Sequence, residues 1–276
     1  MIQPVASLLR ALSFLSRFPA LPGAFHGGPH PLAADAPSFP VVGLIVGLLP
    51  AVLLVLAMAA GLAPVTATLL ALAFLVASTG ALHEDGLGDT ADGLFGHADK
   101  DRALAITKDS RIGTYGVLAL AFALLLRIAL LAEVADASPL AAACALLAAA
   151  ASSRGGMGLL WSSLPSARPD GIADSLGRPT RRQGLWSVAL GLASGTLLGL
   201  AAAGLAGIAI AAAISTGVYL WFRSVLRRRL GGQTGDTLGA CQQLLEIAIL
   251  LGLRSVQAEA NTSRTAIAKS ALHVRP

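Results

Sequence analysis

The sequence predicts an all-α fold, a polytopic membrane helical bundle of about seven transmembrane helices with an N-terminal amphipathic helix. Three observations predict it. Of 276 residues, 55% are hydrophobic and 13% charged, against about 25% charged in a soluble domain. The mean hydropathy is +0.73, and the apolar residues come in long blocks rather than at amphipathic spacing. Basic residues are absent from every second connection between those blocks, as the positive-inside rule requires.

Taken in order, residues 4–19 (PVASLLRALSFLSRFP) alternate apolar positions with Arg10 and Arg17 and read as a helix lying at the interface. No compact apolar core with a small-residue cleavage site follows, so no cleavable signal peptide is expected. A hydrocarbon core about 30 Å thick needs roughly 20 apolar residues per helix. That rule places spans near 39–61, 64–82, 113–133, 138–161, 185–203, 205–222 and 238–253, the last being the shortest. Residues 1–254 form one membrane domain, and the polar segment 255–276 is a candidate disordered tail.

The connections carrying Lys100, Arg102, Lys108 and Arg111, then Arg168, Arg178, Arg181 and Arg182, then Arg223 and Arg227 to Arg229, fall on the side of the N-terminus. The rule makes that side cytoplasmic. Loop arginines of this kind account for the net charge of +5 without nucleic acid as a partner. Arg127 and Arg154 lie inside proposed spans and should face the bundle interior or reach an interface. Cys144 and Cys241, in apolar stretches without metal spacing, read as small hydrophobes. Gly191, Gly195 and Gly199 suit close helix packing, within the subunit or between copies of a homo-oligomer.

The stretch HEDGLGDTADGLFG, residues 83–96, concentrates Glu84, Asp85, Asp89 and Asp92 directly after an apolar run. On a helix continuing from residue 64, Asp85, Asp89 and Asp92 share one face. Like charges so placed repel, the more so near a membrane, and call for a bound cation. Oxygen ligands favour a hard ion, and Mg²⁺ binds through one or two carboxylates plus substrate phosphates. Gly86, Gly88 and Gly93 would let a ligand approach the backbone. His83 and His97 read as structural or interfacial histidines. The plainer alternatives are a solvated acidic loop or an ion-coupling site.

Three further stretches accompany it. KDSRIGTYG (108–116) offers Lys108 and Arg111 to phosphate, Asp109 as a further carboxylate, and backbone N–H groups at Gly113 and Gly116 where a span begins. PSARPDGIADSLG (165–177) sets Arg168 and Asp170 among turn residues. GGQTGDTLGA (231–240) is a Gly-rich turn leading into a helix, in which Gly232, Thr234 and Gly235 suit phosphate and Asp236 adds a carboxylate. It is no Walker A loop, and capping of that helix by Thr or Asp is the alternative. No nucleophile elbow and no Cys–His pair is present, so the expected chemistry is direct displacement at phosphorus.

In this order and on this background, the stretches resemble the cobalamin synthase (adenosylcobinamide-GDP ribazoletransferase) family over about residues 5–253. Its HxDGxxDTxDG block reads His83 to Gly93, KDSRIGTYG stands at Lys108 to Gly116, ARxxG at Ala167 to Gly171, and GGxTGDxxGA at Gly231 to Ala240. The resemblance implies a transferase that joins α-ribazole, or its 5′-phosphate, to adenosylcobinamide-GDP and releases GMP, with Mg²⁺ as cofactor. In that light Asp85, Asp89 and Asp92, with Glu84 nearby, would hold Mg²⁺. Lys108, Arg111 and Arg168 would neutralise phosphates, and Asp109 or Asp236 would act as general base. A CDP-alcohol phosphotransferase is the first rival, but Thr90-Ala91-Asp92 interrupts its Asp spacing. An ion-coupled transporter is the second, although no internal repeat is visible.

Overall fold

The computed structural model of the protein describes residues 3–25, 31–96, 99–107, 111–168 and 171–272, with side chains through Arg254. Its helices are α1 (Gln3–Leu15), α2 (Phe39–Ala59), α3 (Pro64–Thr79), α4 (Leu82–Gly96) and α5 (Lys100–Ile106). After them come α6 (Thr114–Ala137), α7 (Pro139–Ser163), α8 (Ile172–Ser175), α9 (Arg181–Arg229) and α10 (Gly235–Leu272). No strand occurs among the described residues, and the architecture is an all-α multi-pass membrane bundle. Proline opens α2, α3 and α7, where its missing N–H costs no helical hydrogen bond.

Five helices are long and apolar enough to cross a membrane, or six with the bent pair α3–α4 taken as one span, rather than the seven read from the sequence. Part of the difference lies in α9. At 49 residues a straight helix would measure roughly 74 Å, far beyond a bilayer. Gly204 interrupts it with φ 65° and ψ −170°, a conformation open to glycine. Gly184 lies against Ser162, while the Tyr219 hydroxyl stands 3.3 Å from that of Ser163. Both legs of α9 therefore meet the same end of α7, and the helix is a hairpin folded at Gly204.

α7 and α10 are the central helices. Their most apolar windows are 78% buried, against 33% for α6 and 22% for α9. Small residues make this possible. Gly43 of α2 packs on the Ala150 backbone, Gly191 of α9 on Gly155, and Gly195 on Ser152. The glycine stripe of α9 thus serves contacts inside the subunit. Cys241 is buried in one hydrophobic cluster, partly buried Cys144 packs against a second, and both are free thiols.

The N-terminal helix is more than an interfacial float. Arg10, expected on its polar side, is buried and donates from Nε and Nη2 to both Asp35 oxygens at 2.7 Å. Arg17 sits on the corner between α3 and α4, its N–H donating to Ser78 O at 2.7 Å.

Arg127 and Arg154 face the interior, each 1% exposed. Arg127 Nη2 donates to Glu84 Oε1 at 3.1 Å, and its Nη1 stands 3.5 Å from Glu246 Oε1. Gln243 donates to the same Glu84 oxygen at 3.0 Å, Gln242 donates to Glu246, and Arg154 lies in the field of both glutamates. Removing one member of a buried pair strands the other charge, at a cost of roughly 3–5 kcal/mol. Arg127→Met should accordingly lower the thermal midpoint in detergent, and adding Glu84→Gln, which leaves Glu246 to balance Arg154, should restore much of the loss. A single variant as stable as the wild type would show that the pairing contributes nothing to the fold.

Candidate active site

The acidic block does not continue α3. Gly80 (φ 64°) and Ala81 (φ 59°) both adopt the left-handed conformation, and the chain turns by 87° into α4. Residue 80 can do this cheaply because it lacks a Cβ, and an apolar run alone does not disclose such a corner. The stripe Asp85, Asp89, Asp92 therefore lies on a separate helix that crosses the starts of α6 and α10.

The four carboxylates part company there. Glu84 turns inward to Arg127 and Gln243. Asp92 accepts the backbone N–H groups of Gly113 at 2.7 Å and Gly116 at 2.8 Å, so the anion at the N-terminus of α6 is the chain's own. Asp85 is exposed and Asp89 half-buried, and neither side chain has an ion pair or hydrogen bond among the described residues. Asp89 lies in the field of Asp85, Asp236 and Asp92.

Glycines bring the second acidic element close. A Cβ at Gly86 would stand 2.6 Å from Asp236 O, and one at Gly239 would stand 3.2 Å from His83 Cα. Gly88 faces Leu120, and Gly93 faces Ala103 and Thr107. These glycines admit neighbouring helices rather than a ligand, which revises the sequence expectation. His83 is buried, and its Nε2 has no partner among the described residues.

The Gly-rich turn before α10 is zipped to the 165–168 loop. Gln233 N donates to Pro165 O at 2.9 Å and Ala167 N to Gln233 O at 2.8 Å, with Gly232 pressed on that same backbone. Thr234 and Thr237 exchange side-chain bonds with each other's N–H, at 3.3 and 2.8 Å, and cap α10. The Thr234 hydroxyl also approaches Asp236 Oδ2 at 3.4 Å. Arg168 donates to Leu104 O and, at 2.9 Å, to Thr107 Oγ1, while its charge acts on Asp236.

A cavity of about 210 Å³ results. Asp85, Ser166, Arg168, Thr234 and Asp236 line one part of it, with Gly235 beside them, and Phe14, Phe39, Met157, Trp161 and Leu238 another. Three of the four sequence stretches thus meet at one cavity. Arg111 is exposed, and neither it nor Gly232 lines the cavity; Lys108, Asp109, Asp170 and His97 lie outside the described residues. The aromatic residues carried no motif, since in the sequence they are ordinary members of apolar runs.

Asp85, Asp89 and Asp236 fit a hard divalent ion as donors: they offer oxygen only, and Asp89 faces uncompensated negative charge. Among the described residues, no three His, Cys, Asp or Glu side chains close around one point. Such a set suits an ion that completes its shell with phosphate and water.

The sequence pattern of the family described as Cobalamin-5-phosphate synthase matches residues 7–254. The adenosylcobinamide-GDP ribazoletransferases of Brucella ovis and Brucella abortus (strain S19) are each 44% identical over 250 residues, covering 90% of this chain and 96% of theirs. That of Brucella anthropi is 42% identical with the same coverage. No solved structure gives a significant match. The family that the acidic, glycine-rich and arginine stretches resemble is the one returned, so the chain belongs to the cobalamin-5-phosphate synthases, a family of transferases.

Proposed function

We propose that the protein joins α-ribazole, or α-ribazole 5′-phosphate, to adenosylcobinamide-GDP and releases GMP, with Mg²⁺ as cofactor, as a late step of cobalamin assembly. The observation that carries this reading is the meeting of Asp85, Arg168 and Asp236 at one cavity, from three separate stretches of chain. The names of the relatives supply the substrates.

In this reaction the ribose hydroxyl oxygen bonds to the cobinamide-side phosphorus, the P–O–P bond opens, and GMP departs with the electron pair. Such a transfer depends on positioning and charge neutralisation more than on covalent help. Arg168 is anchored by Leu104 O and Thr107, so its guanidinium is presented to phosphate with little freedom left to lose. Asp236, beside the Thr234 hydroxyl, is the general base among the described residues that receives the hydroxyl proton. Asp109 is the other candidate, with Lys108 and Arg111 as further phosphate ligands and Asp170 as a further polar group. Asp85 and Asp89 would hold Mg²⁺, which when bound neutralises the diphosphate. Glu84 and Asp92 support them from behind, by fixing the two ends of α4.

The basic connections support a cavity that faces the cytoplasm from a bacterial inner membrane. Both nucleotide substrates are polar and would approach from that side.

Purified protein in detergent should release GMP from the two substrates with Mg²⁺ and stop when the ion is chelated; folded protein without GMP release would end this reading. Asp89→Asn should reduce turnover by roughly 100-fold or more while the protein still inserts and keeps its thermal midpoint. Near-normal turnover at ordinary Mg²⁺ would remove Asp89 from the metal site. Gly86→Ala should push α4 off Asp236 and lower kcat, whereas Gly96→Ala, where a Cβ meets nothing within 4 Å, should leave kcat near the wild-type value.

A further inference from the structure

The cavity has two unlike walls, and the polar one is already assigned. The other has no role in the phosphoryl chemistry. Phe39 and Trp161 stack there at 6.1 Å with 21° between the planes, and Phe14, Met157 and Leu238 continue the surface. The stacked pair is rigid, with Phe39 1% and Trp161 2% exposed, while Phe14 on α1 is 39% exposed. The Trp161 indole N–H is buried without an acceptor among the described residues.

We infer that this aromatic wall is the subsite for the base of the ribazole, and that Phe14, Phe39 and Trp161 set base specificity. The inference rests on the function proposed above. That reaction offers four large groups to such a wall: a corrin ring, the adenine of its adenosyl ligand, which has polar edges as guanine has, a guanine and a benzimidazole. At about 210 Å³ the cavity is smaller than the roughly 300–1,000 Å³ of drug-sized sites and does not admit a corrin macrocycle. Guanine presents donors and acceptors on several edges, and an apolar wall would leave them desolvated and unpaired. A benzimidazole presents an apolar rim and two π faces, with one free ring nitrogen able to accept the orphan indole N–H. Aromatic faces and the Met157 thioether suit such a ring. Asp85, Arg168 and Asp236 line the same cavity, so a base on this wall and its ribose share the space in which the hydroxyl must attack.

The test is steady-state GMP release by the full chain in detergent, with each substrate varied in turn. It compares wild type, Phe14→Ala and Trp161→Leu. Losing one base-stacking contact should raise KM for α-ribazole 5′-phosphate by roughly 10-fold, with KM for adenosylcobinamide-GDP within about 2-fold of the wild-type value. In the wild type, the matching α-nucleotide of adenine should be the poorer acceptor. A rise confined to the GDP substrate, or no change in either KM, overturns the subsite. Because Trp161 is packed in the core, Phe14→Ala decides the matter if Trp161→Leu fails to fold. An inactive wild type would sink the functional reading and the subsite with it, whereas the variant pattern can sink the subsite alone.

Discussion

The site depends on one buried interaction, the charge knot in which Arg127 of α6 stands between Glu84 of α4 and Glu246 of α10. Its members come from three helices, and Glu84 is the residue next to Asp85. Ionised groups at such depth are costly unless paired, so the arrangement tolerates little displacement of any of the three. The other end of α4 is fixed by a different device. Asp92 accepts two N–H groups at the start of α6, a favourable placement of negative charge on a helix dipole. Held at both ends, α4 can present Asp85 and Asp89 without those residues contributing to its anchorage.

That division of labour explains the composition of the acidic block. The glycines between the carboxylates let α10, α6 and α5 come within backbone distance of α4. Larger residues there would open a gap and carry Asp236 away from Asp89. The corner at Gly80 and Ala81 turns α4 across its neighbours, which a straight continuation of α3 could not do. Charge, small residues and a left-handed corner therefore act together.

Much of this was legible in the sequence. Composition and block length sufficed for a membrane bundle, and the two intramembrane arginines had to face the bundle interior or reach an interface, since lipid does not solvate them; the structure selects the interior. The division of α9 near Gly204 followed from the length a bilayer permits. What could not be read was which carboxylate does what. Glu84, Asp85, Asp89 and Asp92 look alike on a line, and their fates diverge only once Arg127 and Gly113 are brought near. The Gly80 corner was hidden because hydropathy carries no directional information. Asp35, Phe39 and Trp161 went unremarked, since a lone Asp and two aromatics in apolar runs have no spacing to betray them.

The placement of charge also bears on the rival reading as an ion-coupled transporter. Such a protein needs a carboxylate near mid-membrane that exchanges an ion between two states. Here, among the described residues and apart from the Arg10–Asp35 pair at the N-terminal helix, the buried arginines and carboxylates are Arg127 and Arg154, and Glu84 and Glu246, each glutamate in the field of both arginines. The set is neutral as it stands, and an entering cation would have to displace an arginine. The carboxylates without an ion pair or hydrogen bond among the described residues are instead Asp85 and Asp89, near Asp236 and Arg168 at the loop-built rim of the cavity. Spent charge lies inside and available charge at the loop end, an arrangement that suits binding and turning over a phosphorylated substrate rather than conducting an ion through the bundle.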